Sequence, residues 1–94
     1  MRVYIMGPMT GLTDYNRLAF FVKAKDLKKK GYEAIHTADL PDGWDYERYM
    51  TESFKRLKTC DRYIKLDGWE QSEGVKREIE VARKYGIKEL EIGG

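Results

Sequence analysis

Four short runs of β-forming residues alternate with three stretches whose apolar residues recur at helical spacing, and this alternation leaves the chain few architectures. "RVYIM" at 2–6 reads as a buried strand, turned by Gly7-Pro8. From Asp14 to Lys30, Phe20, Ala24 and Leu27 recur with a helical period, Phe21 lies beside them, and Gly31 stops the helix. "YEAIH" at 32–36 is a second strand, followed by the turn-rich "TADLPDGW". Asp45 can cap a second helix whose Tyr46, Tyr49, Met50, Phe54 and Leu57 follow one buried face. "RYIKL" at 62–66 is a third strand. A third helix runs from about Glu73 to Tyr85, and "ELEI" at 89–92 closes the chain as a fourth strand. The expected fold is α/β, a small three-layer doubly wound parallel sheet with right-handed crossovers.

A chain of 94 residues has room for one domain, residues 1–94, that buries about 60–65% of its unfolded surface. Charged residues at 36% and hydrophobic residues at 41% fit a soluble globular chain rather than a disordered or membrane-spanning one. No apolar run approaches the roughly 20 residues of a membrane helix, and the N-terminus lacks a signal peptide's apolar stretch, so a cytoplasmic location is expected. Cys60 has no second cysteine to pair with, and one His with one Cys is too little for the usual zinc ligand sets. No metal and no cofactor are expected. The net charge is +2, and the basic run "KAKDLKKK" at 23–30 suits the C-terminal end of a helix in solvent better than it suits nucleic acid.

Ligands of such sheets collect beyond the carboxyl ends of the strands, where connections leave towards opposite faces. "GPMTGLTD" after the first strand and "DGWEQSEG" after the third are expected there. On the third helix Val75, Ile79 and Ala82 define the core-facing stripe; Glu78 falls about 60° from Val75, beside it, and Glu80 about 140° away among Lys76, Arg77 and Lys84. Glu80 is ordinary surface charge. Glu78 needs a reason, because an unpartnered buried carboxylate costs several kcal/mol: it reaches water, pairs with a cation, lines a cavity or performs chemistry. Ser72 and Gly74 open the same helix, where free N–H groups and the positive dipole end suit an anion, although a serine there also serves as a plain cap.

Ser53 interrupts the apolar stripe of the second helix, where its hydroxyl can bond back to the preceding turn. Trp44 and Trp69 sit in loops near strand ends, where a flat ring stacks on a base or sugar or covers the edge of the core. Tyr15 begins the first helix beside the first loop and is a candidate ligand contact. His36, alone at the end of the second strand, reads as structural.

"YIMGPMTGLTDYNRLAF" and "LKTCDRYIKLDGWEQSEGVKREIEVA", with the spacing between them, resemble a group of small proteins common in phages and prophages, the domain of unknown function 4406 type. That group is itself similar to the nucleoside 2-deoxyribosyltransferases and the 2-deoxynucleoside 5-phosphate N-hydrolases. The resemblance implies a flavodoxin-like sandwich in which a glutamate on the helix after the third strand attacks the anomeric carbon of a 2-deoxyribose. Glu78 matches that nucleophile, Ser72 and Gly74 match positions that hold a 5-phosphate, and Gly7 and Met9 match the loop bordering the sugar. Ser53 departs from the pattern: the enzymes have an aspartate there that assists the departing base, and a hydroxyl does not replace its exchangeable proton.

Two readings follow. In the first, the chain binds a nucleoside or nucleotide and cleaves or transfers its N-glycosidic bond through Glu78, with Gly7, Met9, Tyr15, Ser53, Trp69, Ser72 and Gly74 around the substrate. In the second, the scaffold is a noncatalytic nucleotide-binding module or a phage-encoded partner of a host protein, in the host cytoplasm. Seven tyrosines and two tryptophans on so short a chain also point to a homodimer or larger homo-oligomer.

Overall fold

The computed structural model describes residues 1–91. Strand β1 (Arg2–Met6) is the centre of the molecule, with Val3, Tyr4, Ile5 and Met6 all buried. Side chains alternate across a strand, so Val3 and Ile5 enter one core cluster and Tyr4 and Met6 another. Burial on both faces is why this run carries no polar alternation.

The sheet has the order β2-β1-β3-β4, with β2 at Glu33–Ile35, β3 at Arg62–Lys65 and β4 at Lys88–Glu89, and every pairing is parallel. The register sets Arg2 opposite Glu33, Val3 opposite Arg62, and Arg62 opposite Lys88. Helix α1 (Arg17–Lys29) packs Phe20, Ala24 and Leu27 against the Val3 and Ile5 face. Helices α2 (Tyr46–Leu57) and α3 (Glu73–Lys84) supply Leu57, Val75 and Ala82 to the Tyr4 and Met6 face. Arg77 of α3 donates to both carboxylate oxygens of Glu47 on α2 at 3.0 and 3.1 Å, a surface pair worth at most about 1 kcal/mol. Among the described residues no helix is long and apolar enough to cross a membrane.

Several details differ from the sequence reading. Helix α1 begins at Arg17 instead of Asp14, because Asp14, Tyr15 and Asn16 take left-handed backbone angles with φ of 48°, 53° and 61°. Such angles disfavour side chains with a Cβ, and the turn persists because Asn16 Nδ2 donates to the Pro8 carbonyl at 3.0 Å and Arg17 donates to Asp14 at 2.7 Å. Strand β4 pairs from Lys88, one residue earlier than expected, since the Ile87 amide closes α3 on the Ala82 carbonyl at 2.8 Å and the chain enters the sheet directly. The expected end of that strand, residue 92, lies outside the described residues. Tyr46, placed on the buried face by periodicity, is exposed, because the first turn of α2 overhangs a cleft rather than the sheet.

Candidate functional site

Beyond the carboxyl ends of β1 and β3 lies a cleft of about 590 Å³, within the range of roughly 300–1,000 Å³ that small ligands occupy. Its position follows from the strand order: α1 leaves β1 towards one face and α3 leaves β3 towards the other, which opens a crevice between the neighbouring strands. The loops that flank it pack closely. A Cβ on Gly7 would stand 2.7 Å from Leu66 Cδ1, and one on Gly68, whose φ is +85°, would stand 3.3 Å from Pro8 Cγ. Glycine at both positions lets the two loops meet beneath the cleft.

Glu78 lines this cleft with only 6% of its surface exposed. The buried residues of α3 are Val75, Glu78 and Ala82, whereas Ile79 is only partly buried. The core stripe is therefore rotated from the one expected, and Glu78 lies inside it. The Tyr4 hydroxyl donates to Glu78 Oε2, joining the centre of β1 to the second turn of α3 across 74 residues of sequence. Glu78 makes no salt bridge among the described residues. Burial pushes its carboxyl up to about 8, against the opposing pull of the Tyr4 hydrogen bond. Burial, and then the charge of Glu78, raise the Tyr4 phenol well above its usual range. The pair is thus a proton-holding carboxyl with one oxygen engaged by a phenol that stays protonated, beside an open space.

Ser72 caps α3, its hydroxyl accepting from the Val75 amide at 3.2 Å, and both Ser72 and Gly74 line the cleft. Gly7, Met9 and Tyr15 line it from the β1 side. Two expected contacts lie elsewhere. Trp69 is half-buried against the Tyr4 and Val75 cluster with the Lys65 ammonium 3.9 Å from its ring centroid, and it is not part of the cleft wall. Ser53 is wholly buried and not part of the cleft wall; its hydroxyl lies beside the Tyr4 phenol, where it opposes the upward push of burial, and it makes no well-formed hydrogen bond among the described residues. The back-bond to the preceding turn that the helix pattern suggested is not made.

The opposite wall is aromatic. Phe20, Trp44, Tyr46 and Tyr49 line it, and the Arg48 guanidinium lies 4.0 Å from the Trp44 ring centroid. The Tyr49 hydroxyl lies between Thr37 Oγ1 and Met9 Sδ, and burial pushes its pKa up to about 12. Arg17 reaches the cleft already held by Asp14 and Asp42, and it also donates to the Ala38 carbonyl at 3.0 Å. Of the loop acids Asp14, Asp39 and Asp42, Asp42 alone lines the cleft; Asp39 pairs with Arg56 at 2.8 Å on another surface. His36 accepts from the Ala38 amide through Nδ1 at 3.1 Å, away from the cleft. No group of three or more His, Cys, Asp or Glu among the described residues is placed to hold a metal ion.

Tyr4 is the site residue that sequence reasoning missed. A phenol in a strand buried on both faces needs a polar partner, and that was the available signal, but nothing in the sequence names Glu78 as the partner.

No protein of curated function matches the chain. A solved structure described as a 2-desoxiribosyltransferase from Leishmania mexicana superimposes with a TM-score of 0.74 at 18% identity, and the match covers 95% of this chain and 61% of that one. The chain therefore spans less than two thirds of that protein's length. The likeness shows the fold: four parallel strands and three helices in the deoxyribosyltransferase arrangement. The profile of the domain of unknown function DUF4406 matches residues 1–90, nearly the whole chain, and the protein belongs to that family.

Proposed function

We propose that the protein binds a 2-deoxynucleoside or its 5-phosphate in the cleft and cleaves or transfers the N-glycosidic bond through Glu78. The observation that carries this reading is a buried carboxyl at the cleft wall, hydrogen-bonded to Tyr4 and paired with no cation among the described residues. A structural acid buried this deeply is usually paired with a positive charge, whereas a nucleophile needs an oxygen left open to the ligand. Once its proton has passed to solvent, Glu78 attacks the anomeric carbon as the carboxylate; the bond from that carbon to the base nitrogen breaks, and its electron pair leaves with the base, which takes a proton from water. Water or a second base then displaces Glu78 from the glycosyl ester, with retention over the two steps. Tyr4 holds Oε2 and so orients the other oxygen. The aromatic wall at Trp44 and Tyr46 offers flat surfaces for a base.

Ser53 favours a second reading, a noncatalytic binding module. It puts a hydroxyl at the position where the enzymes have a carboxyl, and it is not part of the cleft wall. The deciding measurement is base release from deoxynucleosides and their monophosphates. Release by wild type that is lost in Glu78→Gln supports chemistry; no release, together with a ligand-induced rise in melting temperature, supports the module. Neither result with any deoxynucleoside or monophosphate sinks both.

A further inference from the structure

The buried residues of α2 are Met50, Ser53 and Leu57, so a hydroxyl stands in an otherwise apolar stripe. A serine inside a helix often returns its hydroxyl to the carbonyl four residues back, which here belongs to Tyr49. That bond is not made, and a buried hydroxyl left without a partner is destabilising. The cost calls for a reason beyond packing, and the hydroxyl lies beside the Tyr4 phenol.

Leu57, one turn after Ser53 on the same face, packs in one cluster with Tyr4 and Met6, which sets this stripe of α2 against β1. The Tyr4 hydroxyl donates to Glu78 Oε2, and its oxygen accepts no well-formed hydrogen bond among the described residues. A phenol oxygen can donate and accept at once. Ser53 thus brings a proton without an acceptor next to an acceptor without a donor. The mismatch resolves when Glu78 ionises. Donation to a carboxylate leaves more negative charge on the phenol oxygen, and a neighbouring hydroxyl then stabilises it. An aspartate in place of Ser53 would add a second carboxyl beside the first, and each would oppose the other's ionisation; serine supplies a donor without that charge.

We infer that Ser53 is a positioning residue of the site: it donates to the Tyr4 oxygen when Glu78 is a carboxylate, and through Tyr4 it holds Glu78 Oε2 in place. The inference rests on the reading of Glu78 as the nucleophile. From β1 Glu78 meets Tyr4, and from α2 it faces Tyr49, whose phenol feels its charge. Arg17, Asp42 and Glu73 line the same cleft, and Arg17 is already bonded to Asp14 and Asp42. The Tyr49 hydroxyl is engaged by Thr37 and Met9, which leaves Ser53 as the donor for the Tyr4 oxygen. Without the Ser53 hydroxyl, Tyr4 grips the carboxylate less strongly and Glu78 ionises at higher pH.

Carbon-13 NMR of the full chain, labelled at the glutamate carboxyl and with the Glu78 signal assigned by its loss in Glu78→Gln, reads this without turnover. The wild-type titration is expected to have its midpoint near 8. Ser53→Ala should raise that midpoint by about half a pH unit, and base release on the acid side should fall about threefold with it. In a Tyr4→Phe background the same substitution should shift nothing further, because its effect runs through the phenol oxygen. Ser53→Thr, which keeps the hydroxyl, should restore the midpoint. A midpoint unmoved in Ser53→Ala, whatever the melting temperature does, makes Ser53 a packing residue and overturns the proposal, as does a shift of equal size with Tyr4→Phe. If Ser53→Ala moves the midpoint through Tyr4 while no deoxynucleoside or monophosphate releases its base, Ser53 still positions Glu78, and the glycosidic chemistry is what fails.

Discussion

The two sides of the cleft are built differently. On the α3 side the functional group projects from regular structure: Glu78 sits in the second turn of a capped helix, and Tyr4 at the middle of the most buried strand. On the α1 side the wall is a turn of three left-handed residues, exposed at Tyr15 and held by the Asn16 contact with Pro8 and the Arg17 contacts with Asp14 and Asp42. Rigid elements hold a reacting group to the tolerance that chemistry needs, and a loop with stored strain suits ligand recognition and partner contact. Substitutions on the α3 side should therefore change rate and pH dependence, and those on the α1 side affinity.

The largest effect is expected at Glu78. Glu78→Gln should lower base release by about 10³-fold or more while preserving the fold, because it removes the nucleophile and keeps a hydrogen-bond acceptor for Tyr4. Comparable turnover by this variant would place the chemistry elsewhere. The same variant reads out burial. With a folded pKa of about 8 against an ordinary 4.5, Glu78 binds more protons in the folded state between those values, so its contribution to stability is full below about pH 4.5 and is lost as pH rises through about 8. Denaturation at pH 5 and pH 9 should show Glu78→Gln gaining on wild type at the higher pH, by about 4 kcal/mol. Parallel pH profiles for the two proteins would mean an ordinary, solvated carboxyl.

Tyr4→Phe ranks next. Its hydroxyl lowers the Glu78 pKa, so removing it should move the rising limb of the pH–rate profile to higher pH and cost about 1 kcal/mol of stability. An unshifted limb would leave Tyr4 as packing alone. Tyr15→Gly tests the other wall and is the smallest. Glycine accepts a φ of 53° without strain, so melting temperature should hold or rise by the equivalent of about 1 kcal/mol, while KM for the substrate increases. A clear loss of stability would show that the ring, and not the turn, holds this wall together.

Much of the architecture was legible because each strand and helix carries its own period, and Gly31 and Gly86 punctuate two of the helices. Glu78 was legible as an anomaly of that period. Ser53 was visible for the same reason, but its surroundings were not: no local rule shows that its hydroxyl lies beside the Tyr4 phenol. Trp69 and Trp44 are alike in sequence context, two loop tryptophans near strand ends, yet one lies over the core beneath Lys65 and the other in the cleft beside Arg48. Which way a loop ring turns depends on neighbours brought from other elements.

The sequence by itself determined the order of elements, the helix that bears the acidic group and the loops that flank the cleft, because periodicity, caps and turn residues act over a few neighbouring positions. Only the tertiary structure decided that Tyr4 grips Glu78, that α3 is rotated to bury this carboxyl, and that three residues before α1 turn left-handed. Those outcomes depend on contacts between residues far apart in the chain, and burial and charge act through distance in space rather than along the sequence.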